Sequence, residues 1–170
     1  GLLSPTDETG SKFRSKHLLT RASGQVQAGY LEYQQAEESL AGCSPHAMSI
    51  LTKTLLGNID FDGIAVRRRA NYAVLAEGLS ANGFQTIALP LTAVPLCVPV
   101  LDLNADRLMP QLASQRIFTP AYWPDASIPA SDRVGTLLRD RTLYLPCDQR
   151  YGTYEMQKII KALLELKDCP

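Results

Sequence analysis

Apolar residues recur at helical spacing in the first half of the chain. Residues 1–24 mix small, polar and basic side chains with little periodicity, and we expect an extended or mobile lead-in there. Over residues 25–40 the apolar positions fall on one side of a helical projection, which predicts a first helix. Ser44 followed by Pro45 is a helix start signal, because a hydroxyl can cap a helix whose first position suits proline. This second helix is predicted to end at Gly57.

The longest predicted helix begins after Asp60 or Asp62, either of which can cap it, and is ended by Gly83. Two apolar stripes run along it at the helical period. One stripe comprises Ile64, Tyr72, Leu75, Ala76 and Leu79, and the other comprises Val66, Ala70, Ala73 and Val74. Because apolar side chains cover most of its circumference, we expect this helix to be packed on both sides.

Beyond Gly83 the pattern changes toward strands. Residues 84–89 and 94–101 are rich in β-forming side chains. Pro90 directly follows the first run, and Pro95 and Pro99 lie within the second. Since proline cannot donate to a β-ladder, the second run is predicted to be a broken or edge strand. Further strands are predicted at residues 116–119 and 142–146.

Three shorter helices are predicted among and after these strands. Their N-cap candidates are Asp102 or Asn104, Ser131 or Asp132, and Thr153. The last helix carries the clearest apolar stripe, formed by Met156, Ile159, Ile160, Leu163 and Leu164. Helices therefore come first and a β–β–α–β–α–β–α order follows. This order favours an α/β (α+β) fold in which helices cover a small mixed or antiparallel sheet.

The charge balance argues against two classes of partner. Seventeen basic and seventeen acidic side chains cancel, so no overall field attracts nucleic acid or an anionic membrane. No apolar run is long enough to span a bilayer. The four cysteines are scattered without a Cys-x-x-Cys pair and the chain has only two histidines. We therefore expect no metal site, and free thiols in a reducing cytoplasm.

Three consecutive arginines, Arg67, Arg68 and Arg69, lie in the longest predicted helix. Successive helical side chains point about 100° apart, so the three cannot form one flat row against a phosphate backbone. Arg68 projects into the first apolar stripe, where a buried guanidinium needs a carboxylate or a cluster of carbonyl groups. An ion pair that locks the helix to its neighbour is the favoured interpretation. A ligand phosphate or carboxylate, and nucleic acid, are the alternatives.

Two other segments could carry chemistry. Residues 117–124 (IFTPAYWP) offer hydroxyls and flat rings on a backbone stiffened by two prolines, which suits either a pocket wall or packed aromatic side chains. Cys43 and His46 are spaced three residues apart and are a candidate nucleophile–base pair. Glycine-rich phosphate loops and metalloprotease helix motifs do not occur.

Four segments, residues 67–79, 94–101, 115–124 and 143–148, carry a common pattern. In this order they resemble the C-terminal part of the DegT/StrS-type aminotransferases, pyridoxal-phosphate enzymes of fold type I that aminate keto-sugars. Residues 67–79 (RRRANYAVLAEGL) are similar to the family helix motif R-R-x-x-(N/A)-Y-x-x-L-x-x-x-L. Residues 115–124 lie where the family carries G-I-x-T-x-x-H-Y-x-P, with Ala121 in place of the usual histidine. Residues 143–148 resemble L-S-L-P-x, and residues 94–101 followed by Arg107 complete the series.

The resemblance implies a domain organisation and a set of site residues. Residues 25–59 would be a helical segment linking to a large domain, and residues 60–170 the small C-terminal domain, with the long helix as a bridge. The residues implied to face the substrate are Arg116, Thr119, Tyr122 and Trp123, and those implied to couple domain motion are Arg67 and Arg68. Partners would be the N-terminal large domain of the same polypeptide and a second copy in a homodimer, in the cytoplasm.

The resemblance also implies pyridoxal 5'-phosphate as the cofactor of the parent enzyme. The family's Schiff-base lysine precedes this region, and none of the lysines present stands in its sequence context. These lysines are Lys12, Lys16, Lys53, Lys158, Lys161 and Lys167. We therefore expect no covalently bound cofactor and no catalysis by this chain alone. The alternatives are a non-catalytic ligand-binding or protein-interaction module and, third, an enzyme that uses Cys43 and His46.

Overall fold

The computed structural model describes residues 5–167 and divides the chain into two compact units, Gly1–Ile59 and Asp60–Pro170. The first unit contains three helices: α1 (Glu8–Ala22), α2 (Val26–Glu38) and α3 (Ile50–Gly57). The second contains four helices and three strands: α4 (Phe61–Ser80), β1 (Gln85–Thr86), β2 (Cys97–Leu101), α5 (Ala105–Ser114), α6 (Arg133–Asp140), β3 (Thr142–Pro146) and α7 (Thr153–Lys167). The prediction of a small sheet combined with helices is confirmed.

Helix α1 corrects the expectation that residues 1–24 form an extended or mobile lead-in. The Asp7 side chain accepts a hydrogen bond from the Gly10 backbone and so caps the helix. None of its residues is buried, so its apolar positions show no stripe that periodicity could detect. Polar contacts hold it against α2, including a 2.8 Å ion pair between Lys16 and Glu32 and a 2.6 Å hydrogen bond from Thr20 to Glu32.

Helix α3 begins later than predicted. Ser49 caps it, accepting a hydrogen bond from the Thr52 backbone at 3.0 Å, whereas Ser44 and Pro45 lie outside any helix. Both serines are chemically competent caps, and the Ser49 hydroxyl additionally donates to the Thr52 hydroxyl at 2.9 Å. His46 is consequently not in the first turn of a helix, as the earlier start signal had implied.

The three strands form an antiparallel sheet in the order β1–β2–β3, so β2 is central and its prediction as an edge strand is wrong. Pro99 lies within β2 and faces Tyr144 on β3. On the other side β1 ends at Thr86, which faces Val100, so pairing stops one residue before Pro99. Proline is tolerated here because the ladder on that side has already ended.

The predicted strand at residues 116–119 is a loop. Arg116 follows the C-cap of α5 with φ of +61°, a left-handed conformation that a strand cannot contain. Ile117 is nevertheless buried, because it reaches the core from that loop. Ile117 thus serves burial and not strand pairing, while Phe118 beside it is 72% exposed.

One hydrophobic core lies between the sheet and the helices of the second unit. Its largest fully buried side chains come from α4, α5, α7 and the two longer strands: Leu75, Leu79, Leu112, Met156, Leu163, Val98, Val100, Leu143 and Leu145. Helix α4 buries its first stripe, whereas in the second stripe Val66 is 66% exposed, Ala70 and Ala73 are exposed, and only Val74 packs partly against the core. The expectation that α4 is packed on both sides is therefore wrong for the described chain.

Candidate functional site

The polar residues of α4 anchor the two loops that flank its N-terminal half. The Asp60 side chain caps the helix by accepting from the Gly63 backbone at 2.8 Å, which fixes the direction of the helix and of its arginines. Arg68 Nη1 donates to the carbonyl groups of Pro95 at 2.9 Å and Leu96 at 3.3 Å. Its Nε donates to the Gln149 side chain at 3.0 Å. Carbonyl groups are thus the partners of Arg68, and the favoured interpretation, an ion pair, is not found within residues 5–167.

The neighbouring polar residues continue this pattern. Arg69 donates to the carbonyls of Thr92 and Ala93 in the segment before β2. The Tyr72 hydroxyl donates to the carbonyl of Ile87. Three residues within little more than one helical turn therefore tie α4 to residues 87–96, which have no regular secondary structure before β2.

Asn71 performs the same role for the loop after β3. Its side chain is buried, and its amide nitrogen lies within hydrogen-bonding distance of three backbone carbonyls, those of Cys147, Asp148 and Tyr151. An amide presents two N–H donors, so three carbonyls converge on them. The loop 147–151 is thereby held against α4.

That loop presents a paired charge to the surface. Arg150 binds both carboxylate oxygens of Asp148, at 2.8 Å and 3.0 Å, in a two-pronged ion pair. Burial acts to raise the pKa of the Asp148 carboxyl, but the hydrogen bonds and charge of Arg150, with the charge of Arg68, outweigh it and the pKa is lowered. Asp148 is therefore an anion at neutral pH.

These elements enclose an open groove of about 480 Å³, called here the Arg68 groove. Its lining residues are Arg68, Leu96, Cys97, Phe118, Pro120, Tyr122, Pro146, Asp148, Gln149 and Arg150. Helix α4, strand β2, the aromatic loop and the loop after β3 each contribute. A volume of this order suits a small molecule or part of one.

Two of the lining side chains, Tyr122 and Cys97, have a raised pKa. Burial raises the pKa of the Tyr122 hydroxyl to about 12, and the neighbouring Cys97 thiol adds to the shift. Burial likewise raises the pKa of the Cys97 thiol, although Tyr122 and the Arg68 charge oppose it. The Tyr122 ring packs edge-on against Tyr144 at a centroid distance of 4.9 Å. Both groups are thus neutral hydrogen-bonding groups at neutral pH, and Cys97 is poorly suited to act as a nucleophile.

The structure places the six residues singled out from the sequence in different surroundings. Tyr122 and Arg68 line the Arg68 groove. Trp123 is 77% exposed, Arg116 and Arg67 are exposed, and none of these three is among the groove residues. The Thr119 hydroxyl oxygen is buried and has no hydrogen-bond partner within the described part of the chain. The contact of Arg116, Thr119, Tyr122 and Trp123 with a substrate stays a prediction.

Four polar residues important to this site were not predicted from the sequence: Asn71, Asp148, Gln149 and Arg150. Asn71 occupies the N/A position of the helix motif, and the motif gave the only available signal for it. The segment 148–150 follows the last strand and reads locally as an ordinary polar turn. This segment contacts Arg68, about eighty positions earlier in the chain, because β2 pairs with β3 in an antiparallel sheet.

The remaining candidates gain no support. The Cys43 thiol donates to the Ser39 carbonyl at 3.0 Å, and no hydrogen bond joins it to His46 in the described residues. Across residues 5–167 no group of three or more His, Cys, Asp or Glu side chains could hold a metal ion. None of the helices in this same range is both long and apolar enough to cross a membrane. Cys169 lies outside the described residues.

Comparison with known proteins identifies the fold. No protein-family model matches the sequence, and no curated protein matches it significantly. Solved structures do match. A DegT DnrJ EryC1 StrS aminotransferase from Brucella abortus aligns with a TM-score of 0.53 and 18% identity over 62% of this chain. S. venezuelae DesV, solved in complex with a ketimine intermediate, aligns with a TM-score of 0.53 and 23% identity over 71% of this chain.

A third structure, the aminotransferase TlmJ from Streptoalloteichus hindustanus, aligns with a TM-score of 0.55 and 16% identity over 82% of this chain. The chain spans 32%, 36% and 46% of the lengths of the three matched chains, which is less than half in each case. The family resemblance inferred from the sequence is thus confirmed at the level of the fold, and this fold corresponds to part of those proteins.

Proposed function

We propose that this chain is the C-terminal part of a larger pyridoxal-phosphate-dependent aminotransferase of the DegT type, whose parent transfers an amino group to a keto-sugar or a related substrate. The observation that carries the proposal is the fold match, which extends over 62% to 82% of this chain but less than half of each matched chain. The ordered motifs of residues 67–79, 115–124 and 143–148 support it independently, because they were recognised from sequence alone.

The residues of this chain do not fit the covalent attachment of the cofactor. No lysine lines the Arg68 groove. Lys16 and Lys161 pair with surface carboxylates, and Lys167 donates to the Asn82 carbonyl beside the Phe84 ring. A Schiff base needs an amine aimed into a site that excludes water. We therefore propose that the reactive lysine belongs to another part of the parent and that this chain alone does not catalyse transamination.

The proposed role of this chain is to complete the substrate site and to couple it to domain motion. Arg116, Thr119, Tyr122 and Trp123 are proposed to face the substrate, which the position of Tyr122 in the groove supports. Arg67 and Arg68 are proposed to couple α4 to the rest of the parent. In this scheme residues 60–170 are the small domain and residues 25–59 lead to the large domain, within a cytoplasmic homodimer.

The experiment is reaction of the purified chain with pyridoxal phosphate, followed by borohydride reduction and peptide mapping. We expect slow labelling spread over several surface lysines and no visible Schiff-base band of stoichiometric intensity, because no lysine occupies an enclosed site. Pyridoxine phosphate, which lacks the aldehyde, is the matched control for non-covalent binding. A stoichiometric band that disappears when one lysine is replaced would show that the reactive centre is in this chain.

A second candidate is a non-catalytic ligand-binding or protein-interaction module. The exposed apolar stripe of α4, with Val66 at 66% exposure, favours it because such stripes mark contact surfaces. The two candidates differ in the coding sequence that precedes Gly1. A preceding segment with a pyridoxal-phosphate lysine supports the aminotransferase, and a preceding segment without one supports the interaction module.

A further inference from the structure

The Arg68 guanidinium carries a charge that no carboxylate of the described residues neutralises by direct contact. Its Nε and Nη1 bind only neutral acceptors, the Gln149 side chain and the carbonyls of Pro95 and Leu96. Its Nη2 makes no hydrogen bond within residues 5–167. Neutral acceptors satisfy donors without neutralising this half-buried charge, and Asp148, whose pKa the Arg68 charge helps to lower, forms its direct ion pair with Arg150 instead.

The one carboxylate in the groove is already engaged. Both oxygens of Asp148 bind Arg150, and the Arg150 side chain is largely exposed while that of Asp148 is largely buried. Two guanidinium groups and one carboxylate therefore line the groove, which leaves a net positive charge of one. Tyr122 and Cys97 add no charge near neutral pH, since burial raises the pKa of both.

Apolar surface surrounds this charge. Five of the seven uncharged lining residues are apolar or aromatic, namely Leu96, Phe118, Pro120, Tyr122 and Pro146, and the other two are Cys97 and Gln149. Phe118 is 72% exposed although it is large and aromatic. Aromatic and proline side chains beside a fixed cation match a ligand that is anionic at one end and flat and apolar at the other. The volume of about 480 Å³ admits a molecule of this kind.

We propose that the Arg68 groove is a binding site for a small organic anion, a carboxylate or phosphate ester with a flat apolar body. The anionic group binds Arg68 Nη2, and the apolar body packs on Phe118, Pro120 and the Tyr122 ring. This site is built within residues 60–170 and does not depend on whether the parent is an aminotransferase. All the residues that line the groove lie between Arg68 and Arg150, and no cofactor is needed to complete it.

Trp123 provides the measurement. It is the only tryptophan in the chain, and its ring centroid lies 5.7 Å from that of Tyr122. The full chain is titrated with benzoate, phenyl phosphate, inorganic phosphate and benzyl alcohol while tryptophan fluorescence is recorded. We expect benzoate or phenyl phosphate to bind about tenfold or more tightly than neutral benzyl alcohol, because a hydrogen bond to a charged donor strengthens binding by about that factor. Comparison of the two anions distinguishes carboxylate from phosphate recognition.

Arg69→Gln is the matched control for Arg68→Gln. Both arginines lie on α4 and donate to carbonyls of the segment before β2, but Arg69 does not line the groove. We expect Arg68→Gln to abolish the preference for anions, and Arg69→Gln to retain it. Equal losses in the two variants, or anions that bind wild type no better than benzyl alcohol, would overturn the proposal.

If Arg68→Gln does not fold, Phe118→Ala still tests the proposal. The Phe118 side chain is exposed and contributes little to the core, so this variant should fold. We expect this variant to weaken benzoate and benzyl alcohol alike and to leave inorganic phosphate unchanged. In the wild type, added sodium chloride should weaken benzoate but not benzyl alcohol, since salt screens the charge of the groove. A salt-insensitive affinity for benzoate, or an unchanged affinity in Phe118→Ala, would contradict the proposed site.

Discussion

At the scale of single residues, the polar side chains of α4 act as anchors for loops. Arg68, Arg69 and Tyr72 each donate to a backbone carbonyl between residues 87 and 96, and Asn71 donates to the loop after β3. Backbone carbonyls in irregular segments need donors wherever water cannot reach them. Arg68 and Arg69 therefore organise the surface around the groove, and of these two only Arg68 lines it.

Asn71→Ala is expected to destabilise the protein by about 1–3 kcal/mol, because buried carbonyls of Cys147 and Asp148 lose their donor. Urea denaturation followed by circular dichroism measures the change. Asn82→Ala is the matched control, since the Asn82 amide donates to the Gly78 carbonyl at an exposed helix end. That control should change stability by less than about 0.5 kcal/mol. Equal effects of the two substitutions would show that the Asn71 contacts are not stabilising.

Residue-level prediction succeeded where the local pattern specifies the contact. That Arg68 points into the apolar stripe and needs carbonyl or carboxylate partners follows from helical geometry, and carbonyls are its partners. The residues that meet it, Gln149 and Leu96, could not be identified, because their proximity is created by chain folding between distant positions.

At the scale of elements, α4 has two unlike faces. Tyr72, Leu75 and Leu79 are buried in the core, whereas Val66 on the other face is 66% exposed. An apolar stripe of this kind is compatible with a further contact surface. The sequence showed both stripes but could not show which one is covered within this chain.

Substitutions on the two faces of α4 should separate their roles. Leu75→Ala is expected to cost about 2–5 kcal/mol, because it leaves a cavity where the side chain is fully buried. Val66→Ala, on the same helix, should change stability by about 0.5 kcal/mol or less. Thermal or urea unfolding of both variants provides the comparison. A large loss for Val66→Ala would mean that its stripe is covered in solution.

Element boundaries were predicted best where a cap or a stripe is strong. Strand β3 occupies the predicted residues, and Asn104 and Asp132 are among the predicted caps of α5 and α6. The strand at residues 116–119 failed because the backbone turns at Arg116, which composition does not record. Helix α1 was missed because polar contacts and a cap stabilise it without a buried stripe.

At the scale of the whole molecule, the two units differ in how much core they contain. The hydrophobic core cluster lies wholly within residues 60–170, and among residues 5–59 only Ala36 is a buried hydrophobic side chain. Burial of apolar surface is the main favourable contribution to folding. Residues 60–170 therefore contain what is needed for independent folding.

Residues 60–170 expressed alone should unfold cooperatively at a temperature within about 5 °C of the corresponding transition in the full chain, since the core is intact. Residues 1–59 alone should show no cooperative transition, because polar contacts without a core give little stability. Circular dichroism melting curves of both pieces test this. A cooperative transition in residues 1–59, or none in residues 60–170, would contradict the assignment of stability to the core.

The sequence by itself determined most of the helices, strand β3, the charge balance and the family whose fold the chain shares. Each of these depends on periodicity, capping chemistry or a motif that neighbouring residues carry together. The tertiary structure alone decided that β2 is the central strand and that α4 is covered on one face. It also decided that Arg68, Tyr122 and Arg150 line one groove. These features depend on contacts between residues far apart in the chain, which local patterns do not encode.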